Sequence, residues 1–285
     1  MKICHQINLG TILAFQIMIY RFLYFLITIS PKTKRWFWKK WYTIFASKAP
    51  NPEFQFMNYG YDKDGFHPEL DSSDEKERFP IQLYHHVATL VDLKGKFVLE
   101  VGSGRGGGTA YVTKNLYPEH MTGIDISETA VELCNSIYNI DNMNFVIGDS
   151  ENIPFDNEQF DAVINVESSH CYGSMQSFLG ETFRILKPGG AFLFCDLRET
   201  SVLEELFDQF NNSGFRIIQH QDITKNIIEA LTKMSIERKS AIQRSVPGFF
   251  QKAFESYAGV KGSKIHDSFK NGMLSYVSAC LEKPM

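Results

Sequence analysis

Residues 97–112 read FVLEVGSGRGGGTAYV. An apolar run with strand character meets five glycines in seven positions, Gly102 to Gly108, and then becomes helix-compatible. Glycine loses more freedom on folding than any other residue, so five together imply a backbone that something approaches closely. Gly102, Gly104 and Gly107 satisfy G-x-G-x-x-G, the spacing by which a strand–turn–helix unit receives a dinucleotide. Two carboxylates argue for another ligand. Glu100 stands two residues before Gly102, where it would repel a pyrophosphate and suit a cationic group. Asp125, followed by Ile126, ends the next strand about twenty residues on, placed for ribose hydroxyls. GDSENIPF then sets Asp149 and Ser150 at the carboxyl end of a third strand, where an acid can accept from an adenine amino group. Asp149 as a turn or helix cap is the plainer alternative. A ribonucleoside with a positive tail fits this set, and S-adenosylmethionine is such a molecule.

The chain has 285 residues, 44% hydrophobic and 22% charged, enough for one large α/β domain with a sizeable core. A formal net charge of −4 gives no support to nucleic-acid binding. Five cysteines (Cys4, Cys134, Cys171, Cys195, Cys280) are scattered without a C-x-x-C pair, which speaks against a disulfide framework or a zinc ribbon and for a reducing compartment. No metal site is expected. His85 and His86 are adjacent, whereas a helical metal site prefers i, i+4 spacing; one of the two could line a pocket.

The start of the chain differs from the rest. Leu9 to Ile29 is apolar all round, with Arg21 as its single charge. Lys32, Lys34, Arg35, Lys39 and Lys40 follow, interleaved with Trp36, Phe37, Trp38, Trp41 and Tyr42. This reads as a membrane attachment with a basic, aromatic segment at an anionic surface. The positive-inside rule then keeps the rest on the cytoplasmic face. A helix pair packed on the domain is the alternative. Residues 1–50 are therefore expected to form an N-terminal extension, and 51–285 the catalytic domain.

Within that domain, strands are expected at Phe97–Val101, Met121–Ile126, Asn144–Ile147, Ala162–Val166, Ala191–Cys195, Phe215–His220 and Tyr276–Leu281. Helices are expected at Arg78–Leu93, Gly107–Leu116, Glu128–Tyr138, Met175–Leu186 and Ser201–Asn211. The alternation implies a doubly wound, Rossmann-like parallel sheet of seven strands. Residues 224–272 read as a helical insertion, a lid over an acceptor. Its Phe249, Phe250, Phe254 and Tyr257 suit either a greasy channel or ordinary core packing.

VLEVGSGRGGG, TGIDIS, GDSENIPF and ILKPGG, in this order, resemble the class I S-adenosylmethionine-dependent methyltransferases over about residues 80–200. FMNYGY (56–61), LYHHVATLVDLKGK (83–96), NVESSHCY (165–172), CDLR (195–198) and AGVKG (258–262) extend the likeness. They are similar to the phthiotriolone and phenolphthiotriolone dimycocerosate O-methyltransferases and related sugar and lipid O-methyltransferases. The resemblance implies that Tyr59 and Tyr61 close over the cofactor. It also implies a histidine and an aspartate at the positions of His170 and Asp196.

A hydroxyl acceptor must lose its proton, and a histidine within hydrogen-bond reach suits that task. NVESSHCY, after the fourth strand, offers Glu167, His170 and Tyr172. His170 is expected to be the general base, and Asp196 to orient it or share the acceptor hydroxyl. A hydrogen-bonded structural histidine is the competing reading. The acceptor is expected to be small or lipid-like. Sterol-carbon or phospholipid-amine methylation, and a silent cofactor-binding protein at a membrane, stand as rivals. Glu100 disfavours a nicotinamide dehydrogenase.

Overall fold

The structure, a computed structural model, describes residues 55–246 and 248–285. The expected membrane segment lies outside the described residues. Among the described residues no helix is long and apolar enough to cross a membrane.

The helix α1 (Arg78–Ala88) precedes β1 (Phe97–Val101). Then come α2 (Gly107–Leu116), β2 (His120–Asp125), α3 (Glu128–Ile137), β3 (Met143–Ile147) and β4 (Phe160–Val166). They are followed by α4 (Met175–Ile185), β5 (Leu186–Glu199), α5 (Leu203–Asn212) and β6 (Arg216–Asp222). The lid helices α6 (Thr224–Ser245), α7 (Gly248–Tyr257) and α8 (Lys264–Lys270) lead to β7 (Leu274–Glu282). The strands make one seven-stranded sheet in the order β3-β2-β1-β4-β5-β7-β6.

Both faces of the sheet are covered at its central strands, which explains their near-continuous apolar runs, while edge strand β6 is mostly exposed. Val98, Ile164 and Leu193 pack into one core; Leu99, Val163 and Phe192 pack into the other. Parallel register pairs Leu99 with Thr122 on one side and Val163 on the other. The carboxyl ends of β1 to β4 therefore lie along one edge, and the chain direction of the sequence order reverses between β1 and β4. Ligands of open α/β sheets sit outside that switch point.

The expectation of a wholly parallel sheet needs correction. β7 runs antiparallel to both β5 and β6. The cause is the lid, which leaves the sheet after β6 and returns on the same carboxyl edge, so the last strand can only run downward. Two other boundaries differ. α1 stops at Ala88 rather than Leu93. The helix before KPGG stops at Ile185, one residue short of the expected Leu186, and β5 starts at once rather than at Ala191: Lys187, Pro188, Gly189 and Gly190 bulge out opposite Asp161 alone, between the pairs Phe160–Leu186 and Ala162–Ala191.

The glycine turn owes its composition to close packing. Gly106 sits at φ +77°, and a Cβ there would come within 2.7 Å of Phe145 and Tyr138. A Cβ at Gly108 would fall inside the ring of Tyr84. Gly108→Ala should thus push α2 from α1 and cost about 1–3 kcal/mol, as overpacking does; urea unfolding of the variant against the parent checks this.

Candidate active site

The cavity at the switch point is walled by the ends of β1, β2 and β4, the loop after β3, and the segment 55–59. The loop after β1 is held down by its own backbone. The Gly102 and Ser103 N–H groups donate to the Ile124 carbonyl at 2.8 and 2.9 Å. The Gly104 N–H donates to Asp125 Oδ2 at 2.9 Å, and the Ser127 N–H to Asp125 Oδ1 at 2.9 Å. Asp125 thus fixes the turn while lining the cavity, and burial raises its carboxyl pKa.

Of the residues expected to bind the cofactor, Gly102, Gly104, Asp125, Ile126, Asp149, Ser150 and Tyr59 all line this cavity. Glu100 does not line it. It is 1% exposed beneath the loop, accepting from the Tyr84 hydroxyl at 2.7 Å and from the Thr109 hydroxyl. Burial pushes its carboxyl up to about 7, against the pull of those two hydrogen bonds. Its position ties α1 and α2 to β1. The expectation that Gly102 and Gly104 stay bare for a ligand is also incomplete. A Cβ on Gly102 would collide with Ser168, and one on Gly104 would meet Met57 at 2.9 Å.

Tyr59 is 8% exposed, and its hydroxyl donates to the Tyr257 carbonyl of α7 at 3.0 Å. Its N–H donates to Glu167 Oε1 at 2.7 Å, an oxygen that also accepts from the Tyr276 hydroxyl of β7 at 2.6 Å. Glu167 takes φ +47° as the chain leaves β4, a conformation uncommon for a non-glycine residue. Burial pushes its carboxyl up to about 7. Tyr61, expected over the cofactor, instead lies fully buried and stacks on His86 with ring centroids 4.5 Å apart. His86 bonds Ser278 and His85 bonds Tyr111, and neither lines the cavity. Burial drives His86 down to about 4. Their helix turns both rings toward the core packed between α1, α2 and β7. No group of three metal-ligating side chains occurs among the described residues.

His170 and Asp196, twenty-six positions apart, meet at the cavity wall. His170 Nδ1 lies 2.8 Å from Asp196 Oδ1, and the His170 N–H donates to Oδ2 at 2.9 Å. Asp196 is fully buried, while the imidazole is a quarter exposed and lines the cavity. Burial works against the charged imidazole, yet Cys171 and Asp196 outweigh it and hold its pKa well above 6.5. Burial likewise works to raise Asp196, and His170 with Arg198 reverses that, holding it far below the ordinary carboxylate range.

The donor set matches the expected cofactor. Asp125, Asp149, Glu151 and Glu167 line the cavity against one guanidinium, Arg105, a balance that suits a cationic nucleoside better than a pyrophosphate. The buried Ser103 hydroxyl in the turn has no partner among the described residues, so a polar ligand group can use it.

The methyltransferase domain family matches residues 99–194, the stretch from β1 into β5. The phthiotriol/phenolphthiotriol dimycocerosates methyltransferase of Mycobacterium leprae is 37% identical over 240 residues, covering 84% of this chain and 89% of the relative. This chain is an S-adenosylmethionine-dependent methyltransferase and belongs to that family. The fatty-acid O-methyltransferase of Mycolicibacterium smegmatis is 32% identical, with 85% and 88% covered. Among solved structures, the geranyl diphosphate C-methyltransferase of Streptomyces coelicolor A3(2), in complex with S-adenosyl-L-homocysteine, superposes with a TM-score of 0.61 at 15% identity. It covers 85% of this chain and 98% of that one, and it shares the fold.

Several lining residues lacked a sequence signal. Tyr84 and Met57 act through the space that glycines vacate, which no motif announces. Tyr257 of the lid enters through its backbone carbonyl. Of the lid aromatics, Phe249 and Phe250 lie outside the described side chains. Asp125→Ala should unpin Gly104 and weaken S-adenosylmethionine binding at least tenfold, since it removes two backbone hydrogen bonds from the turn; titration calorimetry measures it.

Proposed function

We propose that this enzyme transfers a methyl group from S-adenosylmethionine to a hydroxyl of a lipid-like acceptor. One observation carries the reading: the imidazole of His170, held by Asp196, faces the same cavity as the cofactor cradle. The names of the two curated relatives support the lipid-like acceptor. Asp125 would take the ribose hydroxyls, Asp149 and Ser150 the adenine side, and Gly102 to Gly104 the amino-acid tail. When bound, S-adenosylmethionine supplies an electrophilic methyl on a sulfonium.

The chain's own task is positioning and proton removal. With Nδ1 committed to Asp196, proton acceptance from the acceptor hydroxyl falls to Nε2 of His170. The buried carboxylate stabilises the imidazolium so formed and fixes the ring's orientation. Tyr59, Tyr257 and Leu197 close an apolar wall on the acceptor side and exclude water. Residues 1–50 would serve as a separate unit that brings the domain to a lipid surface on the cytoplasmic face.

Incubation with methyl-labelled donor and matched long-chain alcohols, amines and fatty acids should give methyl ethers of the alcohols; transfer only to the amines or to the carboxylates as methyl esters, or none at all, refutes the reading. His170→Ala should lower kcat by about 10²–10⁴ with cofactor affinity unchanged. The base must be neutral to act. Because its pKa is raised above 6.5, the active fraction grows as pH rises, so kcat/KM should climb through the region above 6.5 and then level. Flotation with anionic phospholipid vesicles should carry the full chain with the vesicles and leave more of a version starting at Thr33 unbound.

A further inference from the structure

A buried carboxylate on an imidazole creates a difficulty for a base. The ion pair stabilises the protonated ring, so an isolated Asp–His pair tends to hold its proton at neutral pH. Around Asp196 there is a third charge that the sequence reading did not use. Arg198 Nη1 sits 3.1 Å from Asp196 Oδ2, with its side chain 13% exposed. The same nitrogen donates to the Leu197 carbonyl at 2.7 Å, and Nη2 donates to the Ser169 hydroxyl at 2.7 Å. That hydroxyl in turn donates to Oδ2. The guanidinium also lies over the Phe194 ring, 5.6 Å from its centroid.

The two oxygens of Asp196 are therefore divided. Oδ2 receives Arg198, Ser169 and the His170 backbone. Oδ1 receives the His170 ring and the Leu197 N–H. A carboxylate held on five sides cannot rotate. One of its oxygens is answered by a permanent cation, which disfavours a second positive charge on the ring nearby. Arg198 does not line the cavity, so it acts through Asp196.

The other ionisable groups around His170 do not do this. Asp196 and Arg198 come from β5, Glu167 and Cys171 from the chain after β4, Tyr59 from the segment before α1, Tyr257 from α7 and Tyr276 from β7. The carboxylate and the thiol favour a protonated ring. Arg238 of α6 is a cation on the far side, bonded to the carbonyls of Asn58 and Ala258.

We propose that Arg198 is a positioning residue that commits one oxygen of Asp196 to His170 and, by its fixed charge, loosens the pair's hold on the imidazole proton, so that the ring accepts the acceptor's proton at a lower pH than it otherwise would. This rests on the reading of His170 as the base. The test is the pH dependence of kcat/KM for the full chain and for Arg198→Met, Arg198→Gln and Arg198→Lys, with S-adenosylmethionine affinity measured alongside. Removing the charge should move the acid limb up by about one pH unit, a loss of about tenfold below it that recovers on the alkaline plateau. Lys should leave the limb within about 0.3 unit of the parent, because the charge stays. Gln keeps a donor for Ser169, so it carries the test if the Met variant does not fold. An unmoved limb in Met and Gln, or an equal loss at every pH, overturns the role of Arg198. A parent enzyme without any acid limb overturns the base reading itself, and the role of Arg198 with it.

Discussion

A sheet buried on both faces has one place for polar chemistry, the edge where its strands end. Parallel register from β3 to β5 sets that edge in line, and the reversal between β1 and β4 opens it. Everything chemical in this protein stands there: Asp125 after β2, Asp149 after β3, Glu167 after β4, Asp196 within β5. Four acids from four strands would repel one another in an apolar setting. Each is answered locally instead, by backbone N–H groups at Asp125 and Asp149, by Tyr59 and Tyr276 at Glu167, and by His170, Ser169 and Arg198 at Asp196. The site is stable because its charges are satisfied before any ligand arrives.

Much of this could be read from the chain. Apolar runs mark the central strands because burial on both faces leaves them little polar content, whereas β6 at the sheet edge is mostly exposed and polar. The glycine turn, Asp125 and Asp149 are visible because strand ends fall at fixed distances from those runs. His170 is visible as a polar residue just past a strand end, and Asp196 as a carboxylate that follows the apolar run of β5. What stayed hidden depends on distance in space. The direction of β7 cannot be read from its composition, since an antiparallel strand buried on both faces looks like a parallel one. Glu100 carries the same ambiguity: a carboxylate before a glycine turn reads as a ligand contact, and only the packing of Tyr84 and Thr109 places it inward. Arg198 stands in CDLR with nothing in the sequence to mark its role, which only its partners in space reveal.

The fold and the acceptor are separate questions. The same seven-stranded architecture, at 15% identity, serves a C-methyltransferase of geranyl diphosphate. In the function proposed above, the strand ends would hold the donor, and the acceptor would meet the segment around Tyr59, the loop bearing His170, and the lid.

The way the lid is attached has an evolutionary consequence. It departs after β6 and returns before β7 on one edge, so the two strands are already paired whatever lies between them. Closing a longer loop costs little more than closing a shorter one, about 0.6 kcal/mol for each doubling. Segments can thus be added or exchanged there without disturbing the sheet. A lineage of such enzymes can remodel what it methylates while inheriting its donor chemistry whole.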